Sequence, residues 1–309
     1  MDIQREFEKV KANVYKWHKK DKNEWFATED NMGSEKERVN RRLNKLLTKE
    51  DPMYLIGLFY EDSFQWHINQ AQHALLYHEN QESYYQHIAL GVEYYYLAIL
   101  LQYKEQFLGM RIVSFTRILA ELIGWSKESS EIAQLMIQSI NQEDEVKLIE
   151  DGDKFYPAMW FTLDLYCKIN NTHYDKEKAD YPNIMMPYDE VLLEWDNEDL
   201  NRVDQLVSKM ADLHVLRSRQ GLKGDEEWEQ EFAHREMQLF PLEILYWLQQ
   251  REKQGLKNPE KFSHYLMQEP LAQMSLFDKK LPFPEIEHPE LLQSYNEEVY
   301  KIYMAQREE

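Results

Sequence analysis

Glu231 and His234 have the spacing of a metal-binding element on a helix. Side chains three residues apart share one helical face, and paired Glu-x-x-His elements hold the metal ions of di-iron helical bundles. Such a site needs two of these elements and two further inward glutamates from other helices. We expect no second Glu-x-x-His element in this chain. We therefore predict that Glu231 and His234 do not form a metal site.

Four histidines occur close together in the first third of the chain. Their spacings are six, five and nine residues, whereas two ligands on one helix need a spacing of three or four to share a face. Packing or surface roles are therefore favoured over metal binding. The four are His67, His73, His78 and His87.

The remaining candidates for chemistry are weak. Asp151 and Asp153 flank a glycine in a turn sequence, but no calcium-loop pattern continues from them. Cys167, the only cysteine, lies in an apolar helical pattern, which predicts a buried and inert thiol. Nucleophile motifs, a phosphate-binding glycine loop and a dinucleotide fingerprint are missing from the sequence. We therefore predict a protein that is not an enzyme, with no catalytic residues, no cofactor and no metal.

The elements around these residues are predicted to be helices. Apolar residues recur at helical spacing along most of the chain, and the sequence has only 9 glycines in 309 residues, few for a fold built on tight turns. The prediction is an all-α, irregular multi-helix fold of helical hairpins, with about a dozen helices and no significant sheet. The wide apolar and aromatic surface from Tyr84 to Ile99 predicts a central helix.

Prolines and glycines punctuate the second half of the chain. Pro241 is expected to open a helix that Gly255 ends, and Asn258-Pro259 to begin another that Pro270 stops. One last helix is predicted to carry Leu291 through Ile302. Prolines at 182 and 187 suggest a boundary, with an N-terminal helical subdomain over 1–180 and a C-terminal one over 181–309, or one continuous domain.

The charge balance limits the classes of partner. Lys plus Arg number 36 and Asp plus Glu number 56, which gives a formal net charge of −20. A nucleic-acid binder or a protein that adsorbs to anionic lipid needs a basic face, so neither partner is expected. The longest apolar stretch, Ile88 to Leu101, is interrupted by Glu93 and is too short to span a bilayer. With no export signal at the start, the expected location is the cytoplasm.

Two acidic runs each surround a tryptophan. Acidic residues are also common where helices begin, since they complement the helix dipole, so each run has a purely structural interpretation. An aromatic anchor inside an acidic run on an acidic protein is nonetheless typical of a surface that binds a basic protein. The predicted partner-binding residues are Glu190, Glu194, Trp195, Asp196, Glu198, Asp199, Asp225, Glu226, Glu227 and Trp228, with Glu229 and Glu231 continuing the second run.

A resemblance to a known family lies between Met210 and Met274. The segments FPLEILYWLQQREKQGL, from Phe240, and HYLMQEPLAQM, from His264, resemble the C-terminal part of helical immunity proteins of bacterial polymorphic-toxin and type VI secretion systems, including the PoNe-immunity type. The resemblance covers about a fifth of the chain and rests on apolar positions with Pro241, Glu243 and Gly255. It implies a cytoplasmic antidote without catalytic residues that binds a cognate toxin and blocks its active site.

Three functions follow as expectations. The first is an immunity protein against a basic toxin, most plausibly a nuclease, with acidic side chains taking the places of phosphates. The second is a helical scaffold or regulatory protein that binds a peptide between helices. The third is a carboxylate–metal enzyme. The oligomeric state and the toxin's identity are left open by the sequence.

Overall fold

The protein is described here from a computed structural model. The structure describes residues 2–18, 35–50, 52–78, 80–102, 110–141, 156–221, 231–232, 235–273 and 280–308. Fourteen α-helices and no β-strand occur in these ranges, which confirms the all-α prediction. The helices are α1 (Ile3–His18), α2 (Glu35–Leu47), α3 (Ile56–His78), α4 (Gln81–Gln102), α5 (Met110–Leu122), α6 (Ser126–Asn141), α7 (Pro157–Asn170), α8 (Tyr188–Leu193), α9 (Leu200–Gly221), α10 (Arg235–Gln238), α11 (Leu242–Lys253), α12 (Pro270–Gln273), α13 (Pro289–Tyr295) and α14 (Glu297–Ala305).

The helices form two compact units that interleave along the chain. Unit 1 comprises Met1–Tyr15 and Gly109–Lys279, and unit 2 comprises Lys16–Leu108 and Lys280–Glu309. Residues 180 and 181 therefore lie together inside unit 1. The Tyr181 hydroxyl donates to Asp164 of α7 at 2.6 Å, and α8 packs against α7, so the proline-containing segment is part of a packed unit.

Unit 2 is built around the hairpin of α3 and α4. The two helices pack against each other along most of their length, with α2 against α3 and α14 against α4. Gly91 allows the close approach, since a Cβ atom there would lie 3.0 Å from Cδ1 of Ile68. Buried residues occur on all sides of α4, as predicted for a central helix.

Unit 1 has α11 as its central helix. Every residue from Leu242 to Arg251 is buried, and α11 packs against α5, α7 and α9. Leu242, Leu245 and Leu248 lie at helical spacing and form one apolar face of α11. The other faces are also covered because their polar groups find buried partners: Nε2 of Gln249 donates to the Glu121 carbonyl at 3.0 Å.

Three helix boundaries differ from the predictions. The chain after Asn258 does not return to a helix until the short 3-10 turn Tyr265–Gln268, and Pro270 begins α12 instead of stopping a helix. A proline suits a first helical position because no hydrogen bond is expected from its nitrogen there. The predicted last helix is divided at Asn296, whose side chain accepts from the backbone N–H groups that open α14.

No helix in the described ranges is long and apolar enough to cross a membrane.

Candidate functional site

The main candidate surface is residues 184–200 of unit 1, which we call the docking segment. Four large apolar side chains in it are exposed to solvent: Ile184 by 76%, Met186 by 69%, Leu193 by 80% and Leu200 by 39%. Large apolar side chains are usually removed from water, and exposed groups of them mark interaction sites. Four such side chains within one short segment make it a candidate interaction surface.

Local structure explains why these side chains face water. Ile184 and Met186 flank the buried Met185 in a non-helical stretch, and side chains alternate in direction along extended chain. In α8 the buried residues are Tyr188 and Val191, three apart, so Leu193 falls on the opposite face. The helix is thus anchored on one side and presents apolar surface on the other.

Two of the predicted acidic residues are neutralised by basic side chains. Nη2 of Arg202 lies 2.6 Å from Oε1 of Glu190 and 2.5 Å from Oε1 of Glu194, and Nζ of Lys209 lies 2.7 Å from Oε2 of Glu190. The hydrogen bond from Arg202 lowers the pKa of Glu194 to about 2. The hydrogen bonds from Lys209 and Arg202 also lower the pKa of Glu190.

The other acidic residues of this run divide into a structural one and two unpaired ones. Oδ1 of Asp199 accepts from the backbone N–H of Asn201 at 2.9 Å, which caps the start of α9. Asp196 and Glu198 are exposed and make no hydrogen bond or ion pair within the part of the chain that the structure describes. Asp196 and Glu198 therefore contribute negative charge to the docking segment that no basic side chain pairs with among the described residues.

Two side chains of α11 donate hydrogen bonds to the backbone carbonyl of Trp195. Its carbonyl accepts from Nε1 of Trp247 at 3.1 Å and from Nη1 of Arg251 at 2.8 Å. Nη2 of Arg251 also donates to the carbonyls of Asn197 at 2.8 Å and Lys257 at 2.9 Å. The Trp195 side chain itself is half-buried. The predicted anchor therefore lies in the docking segment, beside the more exposed Leu193.

The second acidic run cannot be placed in the same way. Asp225, Glu226, Glu227, Trp228 and Glu229 lie outside the described residues, as do His234, Asp151 and Asp153.

Glu231, the last residue of that run, is buried in unit 1. Its Oε1 accepts from the backbone N–H groups of Ala158 at 2.6 Å and Met159 at 3.2 Å, at the start of α7. Its Oε2 is buried and has no hydrogen-bond partner among the described residues. Burial raises the pKa of Glu231 to about 8, opposed by the backbone donors and reinforced by the charge of Glu243.

A second carboxylate, Glu243, forms a buried pair with His214. Nε2 of His214 lies 3.0 Å from the carbonyl of Met237, which can only accept, so Nε2 carries a proton. Nδ1 lies 2.9 Å from Oε1 of Glu243, and a hydrogen bond there requires one more proton on either atom. The ring of Phe232 stacks on the imidazole at 3.9 Å.

Glu231 and Glu243 line a cavity of about 40 Å³, together with residues of α5 and α7. Glu231, Glu243 and Ser114 are its polar lining residues, and the rest of the wall is mostly aromatic and aliphatic. The aromatic members are Phe115, Phe232 and Phe240. Glu231, whose Oε2 has no hydrogen-bond partner among the described residues, is thus part of the wall of this space.

The predicted histidine group forms two pairs in unit 2. Nδ1 of His67 lies 2.8 Å from Nδ1 of His87, and Nε2 of His73 lies 3.2 Å from Nε2 of His78. Burial, with the neighbouring His87, lowers the pKa of His67 to about 3. No group of three or more His, Cys, Asp or Glu side chains in the described ranges is arranged to hold a metal ion.

Two further sequence-based expectations have clear outcomes. Cys167 is buried, and its burial raises the pKa of the thiol to about 11. The expectation of no second Glu-x-x-His spacing was wrong, since Glu285 and His288 have it. These two residues precede α13 in non-helical chain, and His288 contacts Glu290 at 2.7 Å, so the spacing does not place them on a helical face.

The exposed apolar residues of the docking segment were missed by the sequence analysis. Its only sequence signal was a group of apolar residues, Ile184, Met185 and Met186, in a proline-bounded stretch that has no helical periodicity. Apolar residues that do not fit the buried face of a helix could have indicated that some of these side chains are exposed.

Comparison of the chain with models of protein families, with curated proteins and with solved structures gives no match.

Proposed function

We propose that the protein is a cytoplasmic immunity protein that binds a basic toxin domain and blocks its active site, with the docking segment as the contact surface. The observation that carries the proposal is the concentration of exposed apolar side chains beside unpaired carboxylates in this one segment. Protein interfaces combine an apolar centre with a polar rim. The docking segment offers both.

The electrostatics favour a basic partner. Asp196 and Glu198 are exposed and form no ion pair among the described residues, and the formal net charge of −20 extends the attraction beyond the contact. Complementary charge accelerates encounter, while the buried apolar contacts set the rate of dissociation. A toxin that acts on nucleic acid has a positive substrate face and is therefore the expected partner.

Co-production with a candidate toxin tests the proposal. We expect the parent protein to restore growth and to co-elute with the toxin in gel filtration. Leu193→Asp should lose most of this protection, and the double variant Asp196→Lys/Glu198→Lys should lose less of it, because the charge reversal slows association without removing an apolar contact. Glu260→Lys, a charge reversal at another exposed position of unit 1, is the matched control and should protect as the parent does.

The variants must be shown to fold, by circular dichroism and thermal melting, before the growth result is interpreted. Full protection by folded Leu193→Asp and by the double lysine variant would move the contact surface away from the docking segment. Binding of short peptides without any protection against toxins would instead favour the scaffold or regulatory function.

A further inference from the structure

We propose that the cavity beside Glu231 and Glu243 in unit 1 binds a small organic cation, a primary alkylammonium group, with Oε2 of Glu231 as its acceptor. The cavity is separate from the docking segment in sequence and in the side chains that form it. It concerns a small ligand and does not depend on the function proposed above.

The first argument is the state of the Glu231 carboxyl group. Its Oε1 is already bound by the two N–H groups that open α7, so the helix start is filled by a side chain of the protein itself. Its Oε2 is buried without a partner. A buried polar atom left unpaired costs about 1 to 3 kcal/mol, and a ligand that donates a hydrogen bond to it would remove that cost.

The second argument is the composition of the wall. Two carboxyl groups, Glu231 and Glu243, and the rings of Phe115, Phe232 and Phe240 line one small space. Aromatic faces attract organic cations, and carboxylates bind ammonium groups by charge and hydrogen bonding. An anion would meet two carboxyl groups here, and a neutral apolar molecule would leave Oε2 unpaired.

The third argument is size. One water molecule needs about 10 to 15 Å³ of such space, so a cavity of about 40 Å³ accommodates a ligand of only a few non-hydrogen atoms. An ammonium group on a short alkyl chain fits this limit. Its charged end would lie at Glu231 and its carbon atoms against the phenylalanine rings.

Binding should be linked to a proton. In the empty protein burial raises the pKa of Glu231 to about 8, so the group is largely protonated at neutral pH, and an incoming cation must displace that proton. Glu243 also raises this pKa and Arg217 of α9 lowers it. Tyr188 of α8 and the His214–Glu243 pair are the other titratable groups on the surrounding elements.

The experiment is a titration of the full chain with ethylammonium chloride at constant ionic strength, followed by calorimetry in two buffers of different ionisation enthalpy. We expect affinity to rise by about tenfold per pH unit up to pH 8 and to level off above it, with close to one proton released per ligand at pH 6 to 7. Ethanol, a neutral molecule with the same number of non-hydrogen atoms, should bind at least tenfold more weakly.

Glu231→Gln removes the negative charge and places an amide donor where Oε2 lies, so ethylammonium affinity should fall at least tenfold. Glu260→Gln removes an exposed carboxylate of unit 1 and should bind as the parent does. Because Gln resembles the protonated carboxyl group, Glu231→Gln should remain folded, which a melting curve verifies. A lysine derivative, Nα-acetyl-lysine methylamide, separates the two sources: if it also binds, the cation belongs to a protein side chain, and if it does not, to a free amine.

Unchanged affinity in Glu231→Gln, equal binding of ethanol, or tighter binding at lower pH would each overturn the proposal. These outcomes leave the growth-protection test of the docking segment unaffected, so the two proposals fail separately.

Discussion

The docking segment and the cavity of unit 1 depart from the usual distribution of side chains in opposite directions. The docking segment leaves large apolar side chains such as Leu193 in water, and the cavity takes the carboxyl groups of Glu231 and Glu243 out of it. Both arrangements cost free energy in the isolated chain. Local departures of this kind are expected where a protein binds something, because the ligand or partner supplies the missing contacts.

The comparison also shows how differently the two regions are supported. The backbone carbonyls of the docking segment accept hydrogen bonds from the Arg251 side chain of α11, whereas the cavity is formed by side chains from several elements. Changes at Arg251 should therefore affect the stability of the fold, changes at the exposed side chains should affect binding, and changes at the buried Glu231 should affect both.

The largest effect is expected from Arg251→Ala. The change leaves the carbonyls of Trp195, Asn197 and Lys257 without the guanidinium that binds them, and each hydrogen bond to a charged donor contributes about 1.5 to 3 kcal/mol. Denaturant unfolding measures the loss. Lys257→Ala removes only an exposed side chain and should stay within about 0.5 kcal/mol of the parent. An equal effect of both changes would contradict the role given to Arg251.

The next effect is the pH dependence of stability that Glu231 causes. Its pKa is raised in the folded protein from 4.5 to about 8, so its stabilising contribution is full below pH 4.5 and is lost as the pH rises through 8. One pH unit in this window corresponds to up to about 1.4 kcal/mol. Glu231→Gln should flatten the profile and be the more stable protein at pH 8, as unfolding measured from pH 5 to pH 9 would show. Parallel profiles for the two proteins would refute this assignment.

Leu193→Asp should act on binding alone. An exposed side chain contributes little to folding, so stability should change by less than about 0.5 kcal/mol. Loss of an apolar anchor from an interface costs about 2 kcal/mol, or roughly a thirtyfold rise in Kd for the proposed toxin partner. Surface-based binding kinetics should show this mainly as faster dissociation. Trp195→Ala should have the same sign and a smaller size, because that side chain is already half-buried.

The smallest effect is expected on the association rate, and it should differ between the unpaired and the paired acidic residues of the docking segment. Asp196→Lys/Glu198→Lys should slow association by about tenfold at low salt, and the difference should shrink as salt is added, because ions screen charges beyond about 8 Å at physiological strength. Glu190→Gln and Glu194→Gln should change the association rate less, since Arg202 and Lys209 already compensate those charges. Equal slowing by all four positions would show that only net charge matters.

The sequence predicted the fold better than the site for a physical reason. The helix from Tyr84 to Ile99 could be recognised because its apolar pattern is local, and the structure buries it as expected. The burial of Gln249 and Arg251 in α11 could not, because their partners belong to other segments of the chain.

The same limit applies to the docking segment. Its composition pointed to Trp195 and the acidic run, but Arg202 and Lys209 of α9 determine which carboxylates stay unpaired. The exposure of Ile184 depends on the packing of Met185 beside it. Likewise, the unpartnered oxygen of Glu231 depends on where α7 begins.

Arg251 also has a consequence for the energetics of recognition. By fixing the carbonyls of Trp195 and Asn197, it holds a non-helical turn in one shape before any partner arrives. Ordering a loop on association usually costs conformational entropy, and a surface that is already ordered avoids that loss. The docking segment should therefore keep its backbone conformation on complex formation, with changes confined to side-chain rotamers. The surface that a partner binds would then already exist in the free protein.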